Sequence, residues 1–285
     1  MLEIEAVSHT YADGTQALDG VTLSIDRGLF GLLGPNGAGK SSLMRVAATL
    51  QLPSKGQVRF HGRDVLAEPR YLLSRLGYLP QDFGVYPGVS AETLLDQVAL
   101  LKGIAARGER RDHTEQLLRL VNLWSVRERA VSTFSGGMRQ RWGVAQALIG
   151  DPDLVILDEP TAGLDPAERN RFHELLFELG ERAVVIVSTH IVEDVADLCT
   201  QVAVLAQGRV AAEGSPAELA GALGDRVWSG PGDAFNIDAM VLSTGLRSGR
   251  RIARVLANEC PGPGFQPVAA SLQDAYFAAL RATTR

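Results

Sequence analysis

The stretch LFGLLGPNGAGKSS, Leu29 to Ser42, decides the fold. An apolar run of strand length ends in glycine, and GPNGAGKS, Gly34 to Ser41, fits the pattern G-x-x-x-x-G-K-S/T. Behind it Leu43, Val46, Ala47 and Leu50 fall at i, i+3, i+4 and i+7, which predicts an amphipathic helix. Strand, glycine-rich turn and helix in this order build a phosphate-binding loop. Along Gly34, Pro35, Asn36, Gly37, Ala38 and Gly39 the backbone N–H groups can turn inward and approach phosphate oxygens, because glycine removes clashing side chains. The helix N-terminus adds a favourable dipole. Lys40 supplies a compact positive charge for the β- and γ-phosphates, and Ser41, followed by Ser42, supplies a hydroxyl for Mg²⁺.

The other half of such a site is LVILDEP, Leu154 to Pro160. A strand ending in Asp158 sets a carboxylate at the C-terminal edge of the sheet, beside the loop, where it can hold the Mg²⁺ shell through water. Glu159 is placed to orient or deprotonate an attacking water. DLVIL and AVVIVS are continuous apolar runs, as expected for strands buried on both faces of a parallel sheet, and ERNRFHELLFELG between them predicts the crossover helix. The expectation is an α/β domain that hydrolyses a nucleoside triphosphate.

Outward from this core, LEIEAVSHTYADGTQALDGVTLSID alternates apolar and polar residues around Asp13-Gly14 and Asp19-Gly20, which predicts antiparallel strands. QVRFHGRDV reads as a strand and turn, and RLGYLPQ as a strand after a short helix. The segment from Ser90 to Ala130 is helical in pattern, with AETLLDQVALL and EQLLRLVNLW as its clear segments. After FSGG comes a helix with Met138, Trp142, Ala145 and Leu148 or Ile149 on one face, and VAVLAQGRVAAEG predicts a hairpin turning at Gln207-Gly208. Near Gly221 the composition shifts to a tail rich in glycine and proline, with a strand-like RIARVLA and a terminal amphipathic helix, SLQDAYFAALRA, whose apolar side is Leu272, Ala275, Tyr276, Ala279 and Leu280. The chain therefore divides into residues 1–220, with a helical subdomain at about 88–150, and a small appended region at 221–285.

A length of 285 residues accommodates one large domain with such an appendage. With 46% hydrophobic and 21% charged residues, the composition argues against disorder and against a membrane-embedded chain. A formal charge of −5 gives no reason to expect nucleic-acid binding, and the mixed run RGERRDHTE reads as a solvated helix entry. Cys199 and Cys260, with no CxxC and no histidine pair nearby, argue against a disulfide framework or a zinc site and read as reduced, partly buried thiols of a cytosolic protein. No apolar run approaches the roughly 20 residues that span a bilayer, and MLEIEAVSHTYADG has no signal-peptide pattern. A role at a membrane would need a partner to supply the spanning part.

FSGGMRQR, Phe134 to Arg141, is a second anion-binding candidate, since Ser135, Gly136 and Gly137 open a helix. In a single chain both loops would have to reach one nucleotide from opposite sides. Taken in order, GPNGAGKS, FSGGMRQR, LVILDEP, AGLDP and VSTH, over about residues 1–220, resemble the ATP-binding subunits of ABC transporters. YLPQDFGVYPGVSAETLL and SLQDAYFAAL are similar to the ABC-2, drug-efflux-like group. The resemblance implies an α/β fold: a P-loop NTPase core with an antiparallel β subdomain, a helical subdomain and a small C-terminal appended region.

It also implies roles that spacing alone does not supply. Tyr11 would stack on adenine, a contact of about 1 kcal/mol. Gln81 would reach Mg²⁺ and the attacking water while its loop touches a membrane partner, and His190 would contact the γ-phosphate. Asp165, in AGLDP, would belong to a loop linking the sites of two subunits. Ser135, Gly136 and Gly137 would complete the site of a second subunit, so that two ATP molecules are gripped head to tail in a two-fold dimer. This chain has Phe134 where the family has leucine, and Ser41-Ser42 where Thr-Thr or Ser-Thr is common; an apolar anchor and the hydroxyl for Mg²⁺ both remain.

The expected function is thus an ATP- and Mg²⁺-dependent ATPase that powers a separate permease, in the direction of export, at the cytoplasmic face of the membrane. Its partners would be that permease and a second copy or a related cassette, without nucleic acid. The alternative is a soluble ABC-type ATPase acting on ribosomes or DNA, whose relatives carry tandem cassettes or a coiled-coil insertion that this chain lacks. A P-loop kinase or GTPase would leave FSGGMRQR without a role, and no N-K-x-D element is evident. The tail is open between a regulatory or dimer-supporting appendage, a cover for the cassette and a loosely packed extension.

Overall fold

The computed structural model describes residues 1–161, 163–232 and 239–283. Its centre is a six-stranded sheet ordered β10-β9-β3-β8-β7-β6. These strands are β3 (Gly28–Leu33), β6 (Leu76–Leu79), β7 (Leu154–Asp158), β8 (Val184–Thr189), β9 (Gln201–Ala206) and β10 (Arg209–Gly214). All neighbours are parallel except β9 and β10, the hairpin expected at Gln207-Gly208, where both turn residues have positive φ. Both faces are buried, and the two-residue period of a strand sorts the side chains between them. Phe30, Leu32, Leu154, Ile156, Val184 and Ile186 face one core, while Leu29, Leu33, Val155, Leu157, Val185 and Val187 face the other.

The first core is closed by an antiparallel sheet ordered β2-β1-β4-β5 and by helix α1 (Lys40–Ala47). Its strands are β1 (Leu2–Thr10), β2 (Gln16–Ile25), β4 (Lys55–Phe60) and β5 (Arg63–Asp64). Leu43, Val46 and Ala47 are buried as their spacing predicts, but Leu50 is 58% exposed. The helix stops at Ala47 and Thr49 takes a left-handed φ of 58°, so the i+7 position is no longer on the helix. Helix α2 (Pro69–Leu73) precedes β6.

The second core holds α3 (Ala91–Leu101), α4 (Arg107–Leu120), α5 (Gly136–Ala147), α6 (Pro166–Gly180) and α7 (Val192–Leu198). EQLLRLVNLW is helical only to Leu120, because Asn122 adopts φ 55° and turns the chain into a 3-10 segment at Trp124–Val126. Trp142 of α5 donates from Nε1 to the Ala91 carbonyl of α3, 3.1 Å away, which joins two helices inside the core. Lys102, just beyond α3, donates to the carbonyls of Leu73 and Leu76 and ties this layer to the central sheet. Of the two free cysteines, Cys199 is buried and Cys260 exposed, so neither is the half-buried thiol expected; burial pushes the Cys199 thiol up to about 12. Among the described residues no helix is long and apolar enough to cross a membrane.

Beyond α8 (Pro216–Gly221) lies an antiparallel sheet ordered β12-β13-β11-β14, built from β11 (Val227–Pro231), β12 (Met240–Arg247), β13 (Arg250–Leu256) and β14 (Gln266–Pro267). The terminal helix α9 (Leu272–Thr283) packs between this sheet and the main core. Leu272 is 4% exposed and belongs to the main core, with Tyr276, Ala279 and Leu280 against the same cluster, while Ala275 and Phe277 face the tail's own sheet. Among the described residues the tail is thus packed, on its own sheet and on the main core, rather than a loose extension.

Arg254 on β13 grips Asp274 of α9 with two donors, at 2.7 and 2.6 Å, and Asp274 is 1% exposed. Burial alone would raise the Asp274 pKa, but the hydrogen bonds from Arg254 and Ser271 outweigh it and hold the carboxyl below its usual range. Its contribution to stability is thus present above the unfolded carboxylate pKa and is lost as pH falls through the lower folded value. Arg254→Met leaves the buried carboxylate without its cation and is expected to cost the terminal sheet on the order of 3–5 kcal/mol, read as faster amide hydrogen exchange along β13.

Candidate functional site

The chain leaves β3 at Leu33, turns through Gly34 to Gly39 and enters α1 at Lys40. At Gly39, φ is 104° and an added Cβ would lie 2.5 Å from the Ala17 carbonyl oxygen, so only glycine fits. Lys40 is 7% exposed and its Nζ donates to the carbonyls of Gly34, at 2.6 Å, and Pro35, at 3.1 Å. The ammonium is thereby folded over its own loop. Burial pushes its pKa below the ordinary value, while the nearby Glu159 and Asp158 charges act in the opposite sense.

Asp158 ends β7 at the C-terminal edge of the central sheet and is 4% exposed. Its Oδ2 accepts from Ser41 Oγ at 2.9 Å, and its Oδ1 accepts from Ser188 Oγ of the register-paired residue on β8. Glu159 follows with φ 50°, and its N–H donates to the Ser188 carbonyl at 3.0 Å. This turn swings the Glu159 side chain toward His190, one residue past β8, whose Nδ1 donates to Glu159 Oε1 at 3.0 Å. Tyr11, at the end of β1, is hydrogen-bonded through its hydroxyl to Ser42 Oγ at 2.8 Å.

A cleft of about 460 Å³ is lined among others by Tyr11, Asn36, Lys40, Ser41, Gln81, Asp158 and Glu159; His190 does not line it and adjoins it through Glu159. A second cleft of about 330 Å³ shares Gln81 and Glu159 and extends to Gly136, Arg139 and Gln140. The remaining expected residues stand apart from the first cleft. Ser135 caps α5, its Oγ accepting from the Met138 N–H at 3.3 Å, and Gly137 packs on Glu168. Asp165 caps α6, accepting from the Glu168 N–H at 2.8 Å, and Ala162 of AGLDP lies outside the described residues. Glu168 in turn pairs with Arg141 of α5 at 2.7 Å, so FSGGMRQR and AGLDP are joined within the chain.

Sequence reasoning missed Ser188 and the wall formed by Thr15 and the first two residues of β2, Gln16 and Ala17. Ser188 was legible in principle: it sits in VSTH, two residues before His190, on a strand predicted to neighbour β7. The Thr15 to Ala17 wall reaches the cleft only because the antiparallel sheet folds over the loop, and no local pattern marks that.

Residues 18–162 match the family described as ABC transporter. The chain belongs to this family. It is similar to the daunorubicin/doxorubicin resistance ATP-binding protein DrrA of Streptomyces peucetius, with 38% identity over 218 residues, covering 75% of this chain and 66% of that protein. It is also similar to the Nod factor export ATP-binding protein I of Paraburkholderia xenovorans, with 35% identity, covering 76% of this chain and 72% of that protein. Among solved structures, a dimeric post-hydrolysis ATP-binding cassette bound to ADP and Pi superposes with a TM-score of 0.71 at 25% identity, covering 75% of this chain and 98% of that one. The chain accordingly carries the ATP-binding cassette of this family.

In this cassette, Gly39→Ala is expected to lose more than about 1 kcal/mol of stability from the forbidden φ and clash. Nucleotide affinity should fall about tenfold or more, measured by titration with a fluorescent ATP analogue.

Proposed function

We propose that the chain is the ATP-hydrolysing subunit of an exporter, driving a separate membrane permease from the cytoplasmic face of the membrane. The observation that carries the reading is the Glu159–His190 contact at 3.0 Å, set at the cleft that the phosphate loop opens. Glu159 is the general base for the attacking water, and His190 holds its carboxylate in place while reaching for the γ-phosphate. Lys40 exchanges its two loop carbonyls for phosphate oxygens, which are stronger acceptors because they carry charge. Tyr11 stacks on adenine, and the Ser42 contact fixes its hydroxyl end.

Ser41, Asp158 and Gln81 offer a hydroxyl, a carboxylate and an amide, an all-oxygen donor set that fits Mg²⁺. Bound there, the ion would neutralise charge on the β- and γ-phosphates.

Ser135 and Asp165 cap their own helices away from the first cleft, which supports a site completed by a second cassette. In that dimer Ser135, Gly136 and Gly137 face the partner's ATP, and the Asp165 loop runs between the two sites. For the permease, an apolar groove of about 330 Å³ between the helical layer and the sheet is lined by Leu50, Leu73, Tyr78, Val98 and Leu101. Leu101 is 86% exposed and Leu50 58%, and both would be covered by a cytosolic segment of the permease. The relatives named for resistance and export support export as the direction.

Glu159→Gln should bind ATP and accumulate as a stable dimer with turnover reduced by about a hundredfold or more. Sizing chromatography in ATP checks it: a monomer with unchanged turnover overturns the reading.

A further inference from the structure

We propose that Asp194 is a positioning residue for ATP hydrolysis, acting through Thr161 to fix Glu159 against His190. The inference rests on the roles proposed above for that pair. Asp194 lies in the first turn of α7, four residues after His190, and Thr161 lies two residues after Glu159, with Pro160 between them. Thr161 Oγ1 donates to Asp194 Oδ2 at 3.0 Å, and the two residues are 4% and 7% exposed. This bond is a second rung between the segments that carry Glu159 and His190, running beside the direct contact of their side chains.

Both segments need such a rung. Glu159 sits at φ 50°, a region that a glutamate keeps only where its surroundings hold it. The start of α7 has no side-chain cap at Ile191, whose N–H is instead taken by Thr189 Oγ1 at 3.0 Å. Fixing α7 to the turn at Thr161 therefore fixes the origin of the His190 loop relative to the Glu159 turn.

The other oxygen of Asp194 faces α6. Arg169 Nη1 and His173 Nε2 each lie 3.7 Å from Oδ1. Burial holds the His173 pKa below its ordinary value, against the pull of Asp194, so at neutral pH the charge partner is Arg169. A buried carboxylate with one neutral donor and one distant cation is a poor device for stability alone, since an apolar group of equal size avoids its desolvation. What the carboxylate does supply is direction. It orients the Thr161 hydroxyl, and with it the turn that aims Glu159. Neither Asp194 nor Thr161 lines either cleft at Glu159, so nucleotide affinity is not expected to depend on them.

The test is Thr161→Val, which keeps the shape and removes the donor, alongside Asp194→Leu, which removes the acceptor, Thr161→Ser and the double variant Thr161→Val/Asp194→Leu. Thr161→Val should lower kcat about tenfold or more, with the dissociation constant for a fluorescent ATP analogue within about twofold of the parent. Thr161→Ser should restore kcat to within about twofold, and the double variant should be no slower than the more impaired single one, as expected for groups acting as one unit. If Thr161→Val does not fold, Asp194→Leu is read in its place. Unchanged kcat in the folded variant overturns the inference, as does a loss of kcat accompanied by an equal loss of affinity and melting temperature that Thr161→Ser does not restore. Glu159→Gln run in parallel separates the two levels. If it abolishes turnover while Thr161→Val is silent, only the positioning role fails; if it leaves turnover intact, the assignment of Glu159 fails with it.

Discussion

The site depends on one buried carboxylate. Asp158 holds Ser41 of α1 with one oxygen and Ser188 of β8 with the other, at the point where β7 leaves the sheet. Hydrogen bonds to a charged group are worth roughly 1.5–3 kcal/mol each, and a carboxylate this deeply buried would be costly without them. Three elements distant in sequence are thus fastened to one atom group: the helix after the phosphate loop, the strand before Glu159 and the strand before His190. The geometry proposed for catalysis is a consequence. With β7 and β8 paired from Leu154↔Val184 to Asp158↔Ser188, the residues just past their ends are brought side by side. Glu159 and His190 then meet without further adjustment of the sheet.

The parts of this arrangement carried by short-range pattern were legible in the sequence. The apolar runs of β3, β7 and β8, the glycine turn before Lys40 and the Gln207-Gly208 hairpin follow from sterics and periodicity that a few neighbouring residues determine. Helix endings were less legible. Leu50 continues the apolar spacing of α1 but lies past Thr49, whose left-handed backbone could not be foreseen from a threonine. EQLLRLVNLW failed in the same way at Asn122, although asparagine tolerates that conformation and was a usable signal. What lay beyond reach were bonds between distant segments: Tyr11 to Ser42, Arg141 to Glu168 and Thr161 to Asp194. Each joins segments far apart in the chain, and only the packed chain defines the pair.

The two loops proposed to bind phosphate differ in how their polar groups are satisfied. In the first, the ammonium of Lys40 is buried against carbonyls that cannot neutralise it, so a phosphate is a better partner than the loop itself. In the second, Ser135 already closes its own helix and the glycines carry no side-chain demand. A loop of the first kind binds strongly from a buried position. One of the second kind presents backbone dipole without a charged side chain of its own, as the proposed contact with a partner's nucleotide requires.

Helix α7 is one of the elements through which the cassette meets its tail, together with β9 and β10. Val192 and Val195 pack in the main core together with Leu272 of α9, and Gln273 donates to Glu193 at 3.2 Å. α9 in turn is bound to the terminal sheet through Arg254 and Asp274. A rigid displacement of α7 by even an ångström would have to reopen the Leu272 packing, because interiors packed to crystal density do not deform continuously. The tail therefore loads the same short helix that begins two residues after His190. In a sheet-based site the strands set where the reacting groups start, but the helices behind them set how far those groups can move. Here that limit is shared between the core of the cassette and a module that lines neither cleft at Glu159.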